Sequence, residues 1–77
     1  MKLYRSSNEQ YLLDDERGRK CLLMGNMGKY SFRTPWYDDK YDVMERWKEV
    51  NFKDIPEIII RILTNFEYLQ LKANENI

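Results

Sequence analysis

The chain has 77 residues, of which 43% are apolar and 34% charged, with formal charges that balance to zero. That length allows one small domain, since domains run from about 50 to 250 residues, and it excludes a multi-domain enzyme, a repeat array or a large doubly wound sheet. A single cysteine, Cys21, rules out an intramolecular disulfide, and the lack of histidine rules out the common zinc ligand sets, so the fold must rest on its own apolar core or on another subunit.

The charge is unevenly placed. Residues 1–33 carry seven Lys and Arg against four Asp and Glu, and residues 34–77 carry six against nine. A dipole this weak is neither a basic nucleic-acid domain nor an acidic nucleic-acid mimic. Met1 is followed by a mixed polar stretch, and no apolar run approaches the roughly 20 residues of a membrane span, so a cytoplasmic protein without a membrane role is expected.

Taken along the chain, the first 33 residues read as short strands separated by turn chemistry. Leu3 to Arg5 is a brief strand, Ser6, Ser7 and Asn8 form a turn, and Gln10 to Asp14 returns as the second arm of a hairpin. Asp14 to Gly18 break the pattern, with Gly18 available for a positive φ. Lys20 to Met24 is the next strand, and its unbroken apolar run predicts a central position or cover on both faces. Gly25 to Gly28 turn the chain again. Tyr30 and Phe32 then alternate with Ser31 and Arg33, the pattern of a half-buried antiparallel strand.

Thr34 and Pro35 end the strand region, because proline has no donor for a ladder. From about 36 to 50 the period changes to an arm or short helix. Asp38 or Asp39 would cap the helix, with Tyr41, Met44 and Trp47 at three-residue intervals, although Tyr41 to Val43 also fits a strand. The main helix is expected from Asp54, with Asp54 as N-cap, Pro56 in the first turn and Glu57 completing a capping-box-like start. Ile55, Ile58, Ile59, Ile62, Leu63 and Phe66 form its apolar stripe, which Leu69 and Ala73 extend if the helix continues. The opposite face would carry Ile60, Thr64, Tyr68 and Leu71, diluted by Glu57 and Glu67. Continuation is preferred over a left-handed cap at Asn65 followed by a strand at 67–72.

These elements predict an α+β fold within a single small domain, 1–77: an antiparallel β-meander of three to four strands packed against a C-terminal amphipathic helix. Leu3, Tyr11, Leu13, Leu22, Tyr30 and Phe32 are assigned to the helix-facing side, a choice that a one-residue change of register would invert.

The chain is poor in catalytic chemistry. Without histidine it lacks the usual acid–base group near neutral pH, and the adjacent pairs Asp14–Asp15 and Asp38–Asp39 sit beside turns, where Asp is commonly structural. Cys21 lies within an apolar strand rather than in the exposed electropositive setting of a reactive thiol. The run Gly25 to Ser31 lacks P-loop spacing, with Tyr30 where that motif needs Ser or Thr. A non-enzymatic protein with no cofactor and no metal follows.

Two kinds of binding protein remain. Lys29, Tyr30, Phe32, Arg33, Trp36 and Tyr37 interleave cations and rings as a nucleic-acid stacking platform would, without the RRM core motif and with no net positive charge. The favoured reading is a protein-binding module, because Met27 to Trp47 concentrates the aromatic, Met and Arg residues typical of interface cores. Its candidate partner-binding residues are Tyr30, Arg33, Trp36, Tyr37, Tyr41 and Trp47. The expected function is docking onto a larger protein to regulate or inhibit it, as small bacterial and phage accessory proteins do, either as a monomer or as a homodimer.

Overall fold

A computed structural model of the chain describes residues 1–6, 10–26, 30–38 and 46–75, and for residues 25, 26, 30, 31 and 75 it describes the backbone alone. Strand β1 (Lys2–Ser6) pairs antiparallel with β2 (Gln10–Asp14), which pairs antiparallel with β3 (Arg19–Asn26). Strands β4 (Tyr30–Arg33) and β5 (Tyr37–Asp38) both pair with β3, and β6 (Trp47–Glu49) pairs with β1. The strand order is β4-β3-β2-β1-β6, with β5 beside β4 on the outer flank of β3. The α+β architecture read from the sequence therefore stands, and two short strands from the region expected to form an arm or helix enlarge its sheet. The turn residues Ser7, Asn8, Met27 and Gly28 and the helix positions Tyr41 and Met44 lie outside the described residues.

The turn between β2 and β3 uses its aspartates as backbone acceptors. Asp14 Oδ1 accepts the Glu16 N–H at 2.8 Å, and Asp15 Oδ1 accepts those of Arg17 at 2.7 Å and Arg19 at 3.0 Å. Gly18 takes its expected positive φ, at 90°, and Glu16 also lies in the left-handed region at 64°. Both carboxylates at the head of this turn are thus structural.

Alternation along the strands sorts the sheet into two faces. On one, Leu3, Tyr11, Leu13, Cys21 and Leu23 are buried in a core shared with Ile55, Ile59 and Leu71. On the other, Tyr4 pairs with Leu12 and Leu12 with Leu22, forming a row across three strands. Leu22 and Phe32 therefore do not face the helices as expected. Leu23, not Leu22, lies in register with Tyr11 and Arg33, and Phe32 pairs with Met24, so both belong to the far face. Tyr30 stands in register with Asn26 at the start of β4.

Thr34 to Trp36 interrupt the outer strand. Between the pairs Arg33–Leu23 and Tyr37–Lys20 the outer strand advances four residues and β3 three, so one extra residue is accommodated where Pro35 lacks a donor. Thr34 keeps the interruption satisfied. Its N–H donates to the Leu22 carbonyl at 3.0 Å, and its Oγ1 accepts the Leu22 N–H at 2.9 Å.

The helical half departs from expectation at both ends. Phe52–Asp54 form a 3-10 turn closed by the Asp54 and Ile55 N–H groups on the Asn51 and Phe52 carbonyls. Helix α1 (Glu57–Ile62) starts after it with Pro56 as N-cap and no side-chain cap, two residues later than the Asp54 N-cap expected from sequence. The helix does not continue through residue 64. Leu63 is extended, and a new helix, α2 (Asn65–Glu75), begins after Thr64. Residues 67–72 are helical, but in a helix of different phase.

Candidate interaction surface

The change of phase has a local cause. Glu67 N–H donates to Thr64 Oγ1 at 3.2 Å while the Thr64 N–H donates to Glu67 Oε1 at 2.9 Å, a reciprocal capping box over Thr64-Asn65-Phe66-Glu67. Two orphan donors at the head of α2 are satisfied without the preceding turn, so a break costs little here.

Glu67 also meets the sheet. Arg33, at the end of β4, donates from Nη1 to Glu67 Oε1 at 2.6 Å and from Nη2 to Oε2 at 2.5 Å, with a further bond from Nη1 to the Ile62 carbonyl at 3.1 Å. The fork binds the last carbonyl of α1 and the first turn of α2 together. Burial pushes the Glu67 carboxyl up, but the bonds from Arg33 and Thr64 outweigh it and hold it below its ordinary value; the same bond to Glu67 raises Arg33.

With Glu67 and Leu71 turned inward and Tyr68 packed edge-on against Phe52 at 5.1 Å, the other side of α2 faces solvent. Phe66 is 65% exposed and Leu69 57%, and Ala73 beyond them is exposed as well. The stripe expected to extend into the core is therefore the outer stripe of α2. In a straight helix Phe66 would lie seven residues beyond Ile59 and on its face; the extended residue between the helices removes that relation.

The sequence-derived partner residues do not form one patch. Arg33 is engaged with Glu67. Trp36 is half-buried against the core, with the guanidinium groups of Arg19 and Arg33 each 5.9 Å from its ring centroid, so it covers the core margin. Tyr37, in register with Lys20, belongs to the far face and is 39% exposed; Phe32 on that face is 47% exposed. Trp47 is half-buried at the opposite edge of the sheet, where it lines a groove of about 840 Å³ with Arg5, Tyr11, Arg46, Lys48 and Asp54. Strands β3, β2 and β1 lie between it and Tyr37, a span of roughly 15–20 Å at the usual strand spacing. Only the backbone of Tyr30 is described, and Tyr41 lies outside the described residues.

The inward turn of Glu67 and the exposure of Phe66 and Leu69 were not read from the sequence, although the threonine–glutamate spacing of a capping box at Thr64 was there to find. Cys21 is fully buried, donates to the Thr34 carbonyl at 3.0 Å, and has its thiol pushed up by burial, the opposite of an activated nucleophile. Among the described residues no group of three or more acidic, cysteine or histidine side chains is placed to hold a metal ion, and no helix is long and apolar enough to cross a membrane. No known protein family, curated protein or solved structure matches the chain.

Proposed function

We propose that this chain is a small non-enzymatic binding protein that docks onto a larger partner protein in the cytoplasm and regulates or inhibits it. One observation carries the reading: Phe32, Tyr37, Phe66 and Leu69 stay exposed on a chain of 77 residues, in two places held by ordered strands and an ordered helix. Single exposed apolar residues are ordinary, but an exposed Phe and Leu one turn apart on a fixed helix form a surface a partner can cover. Nucleic-acid binding is the second reading, and it rests on Phe32 and Tyr37, the two exposed rings of the far sheet face.

Affinity purification from the native cell, run beside size-exclusion chromatography with light scattering, tests the proposal. The full chain should recover a partner that variants with serine at Phe66 and Leu69, or at Phe32 and Tyr37, recover poorly while keeping their circular dichroism. A clean monomer that recovers nothing overturns the reading. Titration with single-stranded oligonucleotides at low salt separates the alternative, which requires binding tighter than about 100 μM.

A further inference from the structure

Resting on the binding-protein reading, we infer that the docking element is the Phe66–Leu69 face of α2, and that its occupant is an apolar groove on a partner protein with an acidic group at the end facing Lys72. Phe66, Leu69 and Ala73 follow the i, i+3, i+7 spacing by which an amphipathic helix enters such a groove. The helix is held in this orientation by the capping box at Thr64, the Arg33 fork on Glu67, the buried Leu71 and the bond from Asn74 to the Met1 carbonyl. A charged side chain thus faces inward and a phenylalanine outward on the same turn, so the ridge is presented in one orientation and binding requires no refolding.

Area argues against a second copy as the occupant. The exposed parts of Phe66 and Leu69 amount to about 100–150 Å² each, so two such ridges in contact would bury on the order of 500 Å² in total against the roughly 1,200 Å² of a stable interface. A concave groove also covers the flanks of the helix, and so reaches an area that two convex ridges cannot. Charge argues against nucleic acid and anionic membrane. Among the described side chains the outer face of α2 carries one charge, Lys72, three residues from Leu69, which is too little for a polyanion and suited to a single carboxylate.

The test is photo-crosslinking of the full chain in its native cell, with p-benzoylphenylalanine at position 66, 69, 37 or 57. Positions 66 and 69 should crosslink one protein, at residues that line an apolar groove, and Lys72→Glu should lower that yield roughly tenfold. Glu57, exposed on α1, is the control and should give none of this adduct. Adducts between two copies, adducts on nucleic acid or lipid, or adducts scattered over many proteins as at position 57 overturn the inference. Crosslinks from position 37 alone overturn it while leaving the binding-protein reading in place, and specific crosslinks from none of the positions overturn both.

Discussion

Arg33 and Glu67, separated by 34 residues in sequence, form a two-pronged ion pair at 2.5 and 2.6 Å that joins the edge of the sheet to the start of the last helix. Glu67 is 5% exposed and Arg33 22%, so the pair is sheltered and the geometry is the parallel fork that makes Arg–carboxylate contacts strong. The same carboxylate completes the capping box of α2. One side chain therefore fixes where the helix starts, which way it faces and what it packs on.

Glu67→Gln leaves the guanidinium largely buried without its counter-charge and should cost about 2–3 kcal/mol in urea denaturation. Arg33→Met strands the carboxylate and should cost a similar amount. The double variant Arg33→Met/Glu67→Met should cost less than the two single changes together, with a coupling of about 1–3 kcal/mol. Strict additivity would mean the pair contributes nothing beyond its parts.

Acid should weaken the fold, and Glu67 should supply part of that slope. Its folded carboxyl lies below the ordinary value of 4.5, so between the folded and unfolded values the unfolded chain binds more protons. The stabilisation is complete above about pH 5, falls as the pH drops through 4.5 and is gone below the folded value. Glu16, held down by the N-terminal ammonium, and Asp15, held down against burial by the Arg17 and Arg19 N–H groups, add to the same limb. Urea midpoints measured from pH 7 to pH 2.5 should show a shallower fall for Glu67→Gln than for the parent chain, with the two curves converging at the acid end.

Thr64→Ala removes one half of the capping box and leaves the Glu67 N–H without its acceptor. A loss of about 1 kcal/mol is expected, within the usual 0.5–2 for an N-cap. Thr64→Ser keeps the hydroxyl and should keep most of the stability. Equal losses for the two variants would show that the methyl group, not the cap, is what matters at this position.

Much of the sheet was legible in the chain because its strands are local and punctuated. Gly18 and the two aspartates before it announce the β2–β3 turn, and the apolar run Cys21 to Met24 announces an inner strand. Facing was harder to read, since Leu22 and Leu23 are equally apolar and only the pairing of Tyr11 with Leu23 decides which one meets the helices. The departures in the helical half have a similar origin. Periodicity carries Ile55 to Ala73 along one continuous stripe, but it is blind to a two-residue break that a local hydrogen-bonded pair makes cheap. The placement of two rings was hidden for the same reason: nothing in the sequence sets Arg19 and Arg33 against Trp36, and Phe66 reads as core until Thr64 restarts the helix.

The interruption of the outer strand depends on one hydroxyl. Thr34 Oγ1 accepts the Leu22 N–H, and Thr34→Val matches the shape but removes the acceptor, leaving a partly buried donor unpaired at a cost of about 1–3 kcal/mol. Amide hydrogen exchange should report it locally: the Leu22 amide should exchange markedly faster in Thr34→Val, while that of Leu12, in the middle strand β2, changes only with global stability.

The orientation of α2 gives the sharpest contrast between a straight helix and the broken one. In a straight helix Phe66 and Leu69 would share the face of Ile59, and Phe66→Ser would open the core at a cost of several kcal/mol. In the broken helix Ile59 is fully buried and the other two are more than half exposed. Ile59→Ala should therefore cost about 2–5 kcal/mol, as large-to-small changes in a core do, whereas Phe66→Ser and Leu69→Ser should each stay within about 0.5–1 kcal/mol of the parent chain. Part of even that small cost is helix propensity, since serine is a weaker helix former than leucine. Thermal denaturation of the three variants at neutral pH decides the matter: a melting point for Phe66→Ser that falls as far as that of Ile59→Ala would place the phenyl ring in the core and remove the surface on which the docking proposal depends.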